Sequence, residues 1–535
     1  MPQFDKTYSQ IANLFIKDCL FGFFCILISR GGTKDMMKER LRCEALEAKV
    51  VSAAEAAKFI NDGDTVATSG FTPSGYPKAV PLALADRVKA GEKIEITLIT
   101  GASVGSELDG VLAEAGIVKR RFPYQTNNSM RNAINKGEIA YADMHLSHVP
   151  QFIDYGFFGR INVAIIEAIA ITEEGHIIPS TSVGVSPQAV ANADKVIVEI
   201  NTSQSLKLEG VHDIYMTKKP PFREPIPITG SGDRIGTTYI ECGVDKIVAI
   251  VETDITDKVR PLGAVDEDSM KISEHIIKFF EQEVEAGRLP ENLLPLQSGV
   301  GSVANAVLAG LVDSKFTNLT CYTEVIQDSM FDLIDAGKVT VASGTSFTPS
   351  EEGLVRLNEN MEKYVKHCVL RPMEISNHPE VARRLGVLAL NTAIEIDIYG
   401  HVNSTNIMGS RMMNGLGGSG DFTRNAYISF FTTVSTAKNG DISSIVPKVS
   451  HCDHTEHDVQ VVVTEIGLAD LRGLSPRERA RAIIDNCAHP DYRPMLLDYL
   501  ERAEATPFQH EPHLLDEALS WHARFVATGT MKVKN

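Results

Sequence analysis

The 535-residue chain has no CxxC pair, and its eight cysteines (Cys19, Cys25, Cys43, Cys242, Cys321, Cys368, Cys452 and Cys487) are scattered without a dense framework. Such spacing fits reduced thiols, so disulfides are not expected and the expected localisation is cytoplasmic. No Lys/Arg run is longer than three residues, and the formal net charge is −17. A chain without a basic face has little to offer a phosphate backbone, which excludes nucleic acid as an expected partner. Long apolar runs are also missing. The most apolar stretch, CLFGFFCILI (19–28), has ten residues and no clean A-x-A cleavage signal. It is too short to span a bilayer, so no membrane partner is expected either. Residues 1–36 are expected to be an extension outside the fold, which should begin near Met36 or Met37.

What is present is material for large cores, with 43% hydrophobic residues, and the length suggests two to four domains. From about Val50 onward, strand-like runs (DTVATSG, KIEITLIT, INVAIIEAI, DKVIVEIN) alternate with helix-like stretches (YPKAVPLALADRVKAG, SPQAVANA). This alternation predicts α/β architecture. An internal duplication is visible as well. GHIIPSTSVG (175–184) aligns with GHVNSTNIMG (400–409), and ITLITGA (96–102) with LTCYTEV (319–325). Each member of the second pair follows a glycine loop and a helix-like stretch, SGFTPSGYPKAVPLAL (69–84) and SGVGSVANAVLAGL (298–311). Two copies of one α/β unit are expected, with a boundary near 255–265 and domains over 37–260 and 261–535.

Differences between the copies point to the chemistry. Glu324 stands where the first copy has Gly101, and after the shared glycine the second copy carries a longer, glycine-rich segment, SRMMNGLGGSGDFTRNAYIS. Both additions fall in the second half, so the reacting groups are expected there, with the first half completing the cleft. A carboxylate at a strand end can hold a ligand, act as a nucleophile or serve as a polar cap.

Other motifs compete. SGVGSVA contains G-x-G-x-x-A (Gly299, Gly301, Ala304) with an acidic residue, Glu324, further on, which would suit a dinucleotide. Against this, PENLLPLQS has two prolines and a glutamine where the preceding strand should be, and no strand is expected there. HCDHTEH (His451, His454, His457) has metal-ligand residue types, but it precedes the strand-like VQVVVTE, where spacing by three would scatter the imidazoles over both faces. It is read as a polar loop. Thr464-Glu465 is a second strand-ending pair, either a helix-entry carboxylate or a second acid in the cleft. Asn377, just ahead of Pro379 and Glu380, has the position of a helix start.

Taken together, QSGVGSVANAV, CYTEVIQD, NGLGGSGDFTRNAY, VSHCDHTEHDV and TEIGLADLRG resemble the acetyl-CoA hydrolase/transferase family of class I CoA-transferases. The resemblance runs from about residue 37 to near the C-terminus. It implies two duplicated open α/β domains with the active site between them, and an acyl-CoA:carboxylate CoA-transferase moving CoA between succinyl-CoA and acetate or similar short acids. An acetyl-CoA hydrolase on the same site is the alternative, and a dinucleotide-binding module ranks behind both. By the same resemblance Glu324 becomes a glutamyl-CoA thioester, the backbone N–H groups of Val300 and Gly418 form an oxyanion hole, and Gly299, Val300, Gly301, Ser302, Val303, Asn414, Gly418 and Lys438 contact CoA. Asn377 and Glu465 lie nearby as orienting groups. No metal is implied, and no cofactor beyond coenzyme A as substrate. The expected partners are acyl-CoA and small carboxylic acids, and a homodimer is expected for a metabolic enzyme of this size.

Because the repeated architecture starts later, deleting residues 1–35 should leave both turnover and melting temperature nearly unchanged. Loss of solubility or activity in the truncated protein would show that the apolar run packs into the core or the cleft.

Overall fold

The computed structural model describes residues 37–259, 265–299 and 301–533. The expectations for residues 1–36 and for Val300 fall outside the described residues. In the first half the strands are β1 (Thr65–Thr68), β2 (Ile96–Ile99), β3 (Val118–Phe122), β4 (Ala140–Tyr141), β5 (Ile161–Ile171), β6 (Ile177–Pro179), β7 (Ala193–Asn201) and β8 (Ile247–Thr253). They form one sheet in the order β4-β3-β2-β1-β5-β7-β8, with β6 returning antiparallel onto β5. Every other pairing in it is parallel. Parallel strands covered on both faces need near-continuous apolar sequence, which INVAIIEAIAI of β5 supplies.

In the second half the corresponding strands are β9 (Leu296–Ser298), β10 (Leu319–Tyr322), β11 (Val339–Gly344), β12 (Cys368–Leu370), β13 (Leu388–Thr392), β14 (Ile428–Thr432), β15 (Val461–Val463) and β16 (Leu468–Asp470). Their order is β12-β11-β10-β9-β13-β14-β15-β16, with only the last pair antiparallel. Read from either edge, the seven parallel positions match those of the first sheet. The duplication extends to backbone conformation, because the aligned glycines share positive φ: Gly175 (+87°) with Gly400 (+96°), and Gly184 (+52°) with Gly409 (+72°). These are left-handed positions at which a side chain would be strained.

One expectation is overturned here. A strand does precede Gly299: β9 is a central, fully buried strand. Pro295 lies one residue before it, where a missing N–H is tolerated, and its carbonyl still accepts from Leu388 N at 2.9 Å. The amide of Gln297 is satisfied by reciprocal bonds with Asn391 on β13, at 3.4 and 3.3 Å. Prolines and a glutamine therefore do not prevent a short interior strand when the proline sits at its entry and the amide has a partner.

The halves are joined through the repeated Ser-Thr segment of the first copy. Val183 N donates to Thr345 O (2.9 Å), Phe347 N to Thr181 O (2.9 Å) and Met373 N to Gly184 O (3.0 Å). A single apolar cluster runs through this seam from Leu41 to Val463. The loop between β1 and helix α1 (Ala79–Lys89) is fixed from below by buried charge. Lys78 Nζ lies 2.5 Å from Glu167 and 2.8 Å from Asp257, and all three side chains are buried. Asp257 also accepts from Gly75 N and Thr181 Oγ1, while Glu199 accepts the N–H groups of Lys78, Ala79 and Val80 at the start of α1. A buried charge cluster of this kind is tolerated only when its members are mutually satisfied.

After β8 the chain leads into the helix α2 (Glu267–Glu285), the expected helical segment, with Asp266 as its N-cap. Among the described residues no helix is long and apolar enough to cross a membrane.

Gly101, the counterpart of Glu324, has no room for a side chain: a methyl group there would lie 2.6 Å from Gly70 O. Gly101→Ala should therefore destabilise the protein by about 1–3 kcal/mol through overpacking. Denaturant unfolding measures this, and an unchanged midpoint would show that the Gly70 backbone gives way freely.

Candidate active site

Glu324 follows β10 and is held by its own backbone on both sides. Thr323 N donates to Ser343 O (2.9 Å), and Thr345 N donates to Glu324 O (2.7 Å), which ties the residue to the end of β11. Thr323 Oγ1 donates to Ser298 O on β9 at 3.2 Å. This is why a threonine precedes the glutamate: its hydroxyl satisfies the open carbonyl at the tip of the neighbouring strand. The carboxylate projects into a cleft of about 160 Å³ whose walls come from both halves. Phe71, Thr72, Ala102, Tyr124 and Leu146 line it from the first, and Ser298, Gly299, Asn414 and Gly415 to Ser419 from the second.

The carboxylate has three close neighbours. A methyl group built on Gly418 would overlap both Glu324 Oε2 and Asn377 Nδ2. The Gly418 N–H and the Asn377 amide both favour the charged form of Glu324, but burial and the negative charge of Asp421 outweigh them and push its pKa up to about 8. Asn377 is fully buried, and its Nδ2 makes no hydrogen bond of normal geometry although it faces both carboxyls. Burial also raises Asp421, to about 7, against the bonds it receives from Ser147 and the nearby amide of Asn377. Both shifts follow from desolvating negative charge where, among the described residues, no lysine or arginine pairs with it.

The glycine-rich segment is tied to the first half along its length. Met412 exchanges two bonds with the side chain of Asn135. Tyr141 Oη donates to Asn414 O (2.9 Å), and Leu416 N donates to Asp143 Oδ2 (2.7 Å). Ser147 donates to Asp421 from both its N–H (3.0 Å) and its hydroxyl (2.6 Å), where the segment enters helix α3 (Ser419–Thr423). Its glycines serve close approach. At Gly415 a methyl would sit 2.7 Å from Asp143 Oδ1 and from Tyr141 Oη, and at Gly420 it would overlap the His145 ring. Only Gly417, at φ +62°, is explained by conformation.

The other expected residues are placed as follows. Gly299 is in the cleft wall, its N–H donating to Leu390 O and its carbonyl accepting from Gln327 Nε2 at 2.8 Å. Gly301, at φ +141°, opens the helix Ser302–Asp313 without a side-chain cap. Ser302 meets Ser269, and Val303 packs in the core, so neither side chain lines the cleft. Asn414 lines it, with an Oδ1 that is buried and without a hydrogen-bond partner. Lys438 is exposed at the turn of the hairpin Thr436–Ala437 with Ile442–Ser443, away from the lining. Glu465 accepts from Ser435 N (2.7 Å) and from the Ser435 hydroxyl, and is not among the lining residues. Asn377 does not cap the helix that follows; His378 does, accepting from Glu380 N.

Asp421, Ser147, Asp143 and Tyr141 escaped the sequence reading. An aspartate in the first turn of a helix looks like an ordinary dipole partner, and YADMHLSHV carries no periodic signal.

The three histidines do not converge. His454 is buried with Nε2 against Ser419 Oγ (3.1 Å), His451 pairs with Asp453 (3.2 Å), and His457 is exposed beside Glu456. Elsewhere, His401, Glu456 and Glu511 bring potential ligand atoms within 4.8 Å of one another. Lys448 Nζ stands 3.2 Å from His401 Nδ1 and 3.6 Å from Glu511, so an ammonium already occupies the place of a cation.

The sequence model of the acetyl-CoA hydrolase/transferase N-terminal domain matches residues 35–252, and that of the C-terminal domain matches residues 353–500. The chain is 60% identical over 496 residues to a succinyl-CoA:acetate CoA-transferase of Clostridium kluyveri, covering 92% of each. It is 46% identical over 519 residues to an acetyl-CoA hydrolase of Kluyveromyces lactis, covering 94% of this chain and 99% of that one. RipA from Yersinia pestis shares the fold, with a TM-score of 0.68 at 23% identity over 88% of this chain and 99% of that one. With two matched domains and relatives aligned over nearly their full lengths, this chain belongs to the acetyl-CoA hydrolase/transferase family.

Proposed function

We propose that the protein is an acyl-CoA:carboxylate CoA-transferase that moves CoA between succinyl-CoA and acetate, or similar short acids, through a glutamyl-CoA thioester on Glu324. The observation that carries this is a glutamate fixed at a strand end, raised in basicity to about 8, and facing a cleft beside the N–H of Gly418. A more basic carboxylate is a stronger nucleophile once ionised. Its attack on the acyl-CoA carbonyl gives a mixed anhydride and free CoA thiolate. The thiolate then attacks the Glu324 carbonyl, forming the thioester and releasing the original acid. An incoming carboxylate reverses both steps and leaves as its CoA ester. Each attack builds negative charge on an oxygen, for which the N–H groups of Gly418 and Val300 are the proposed donors, each worth about 2.7–4 kcal/mol.

CoA would lie along Gly299–Val303 and Asn414, the free Oδ1 of Asn414 accepting a donor from it. Lys438 would meet its phosphates outside the cleft, and Glu465 would act indirectly by holding the loop at Ser435. The dinucleotide reading fits less well, because a carboxylate packed on Gly418 and partly desolvated offers poor acceptors to a ribose. We further propose a cytoplasmic homodimer with no metal and no cofactor beyond coenzyme A as substrate. Its parts would be an extension over 1–36 and domains over 37–260 and 261–535. Hydrolysis is the second reading, supported by the naming of the Kluyveromyces lactis relative. A segment tied down over the carboxylate favours transfer, since water is kept from the thioester.

Glu324→Gln should lower transfer by at least about 10⁴-fold and abolish borohydride-trappable adduct, with the fold intact. The variant also has a thermal signature. Glu324 keeps its proton in the folded state up to about 8 against an ordinary value of 4.5, so the folded enzyme loses stability as pH rises through that window. The melting temperature of Glu324→Gln relative to the unmodified enzyme should therefore increase between pH 5 and pH 8. Normal turnover in the folded variant would overturn the assignment.

Transfer and hydrolysis separate in one assay. CoA release from succinyl-CoA should be slow without acetate and fast with it, with parallel-line kinetics. Acceptor-independent release at the transfer rate would make hydrolase the correct name.

A further inference from the structure

Two carboxyls, Asp421 buried and Glu324 half-buried in the cleft wall, face the same amide. Glu324 comes from the end of β10 and Asp421 from helix α3, and Asn377, at the end of the short helix Met373–Ser376, serves both. The Nδ2 of Asn377 is buried with no hydrogen bond of good geometry, and its Oδ1 accepts from Ser376 Oγ at 2.7 Å, so the amide is oriented with its donor toward the pair. Asp421 in turn receives two bonds from Ser147, a residue of the other half. We infer that Asp421, anchored by Ser147, is a positioning residue for the nucleophile, acting on Glu324 through the shared Asn377 amide and by its own negative charge. This rests on the reading of Glu324 as the nucleophile.

Among the described residues no lysine or arginine pairs with either carboxyl. Around Glu324 the influences are Asp421, Asn377 and Gly418. Around Asp421 they are Ser147, Asn377 and the ring of His145, whose Nδ1 stands 4.0 Å away. His145 supplies no counter-charge at neutral pH, because burial, His148 and Arg424 all push its pKa down, against a small opposing effect of Asp458. Two carboxyls in such a site titrate as a unit, each ionisation opposing the other. Acylation of Glu324 removes one of the two charges. The repulsion present in the free enzyme is then relieved, so Asp421 favours the covalent intermediate over the free carboxylate, and Ser147 makes this depend on the first half being in place.

The test is the pH dependence of adduct formation in the full chain. Enzyme is mixed with succinyl-CoA without acceptor between pH 5.5 and 9, quenched, and the Glu324 thioester quantified by borohydride trapping and mass spectrometry. In Asp421→Asn the acid limb should move down by about one pH unit, and the fraction trapped at high pH should fall. Ser147→Ala, which weakens the hold on the Asp421 anion without touching Glu324, should shift the limb the same way by less. A limb unmoved in either folded variant, with the rate lowered equally at all pH values, would overturn the inference and leave Asp421 a structural residue. If Asp421→Asn does not fold, Ser147→Ala decides alone. Absence of any adduct in the unmodified enzyme would instead sink the nucleophile reading itself.

Discussion

The contact between the Glu324 carboxylate and the Cα of Gly418 is the constraint on which the rest of the site depends. No side chain fits between them, so the loop carrying Gly418 must be delivered to the strand end carrying Glu324 with little tolerance. That delivery is made by the other half of the molecule. Asn135, Tyr141, Asp143 and Ser147 bind successive positions from Met412 to Asp421, and the first half is registered against the second by backbone bonds at Thr181, Val183 and Gly184. The buried Lys78 cluster holds Thr181 and Gly75 through Asp257. A chain of polar contacts thus runs from the core of one sheet to Glu324 at the end of an interior strand of the other.

Duplication explains why the site lies where it does. Two sheets of the same strand order, joined by the Ser-Thr segment of the first copy, leave their equivalent strand ends facing a shared cleft. At that strand end one copy has Glu324, and the other has Gly101 packed against Gly70 O. Their glycine loops differ as well. The start of α1 in the first copy is closed by Glu199, which accepts three successive N–H groups, whereas the helix after Gly301 has no side-chain cap. The first copy thus closes with its own carboxylate a helix N-terminus, a place that favours negative charge.

Burial works on this site in two directions. Removing the Glu324 carboxylate from water raises its basicity, which in the proposed mechanism aids attack, but it also makes the charged form costly to the folded state. Gly418 and Asn377 recover part of that cost without adding positive charge. A lysine or arginine in their place would lower the pKa, and among the described residues lining the cleft there is no lysine or arginine.

The sequence by itself determined the α/β class and the duplication, and it singled out Glu324 as a candidate, because these rest on local patterns: alternating apolar runs, aligned glycines, and one glutamate set against one glycine. It misjudged Leu296–Ser298, since a three-residue interior strand has too few residues to outweigh two nearby prolines, and its stability comes from strands distant in sequence. Asn377 read as a helix start because its cap-like position is local, whereas its proximity to two carboxyls is not. Tertiary structure alone decided that Gly415, Gly418 and Gly420 are there for close approach, that Asp421 shares an amide with Glu324, and that residues 135–147 hold the loop. These facts depend on which surfaces meet when two sheets pack, and contacts between residues more than 270 positions apart leave no periodic trace in one chain.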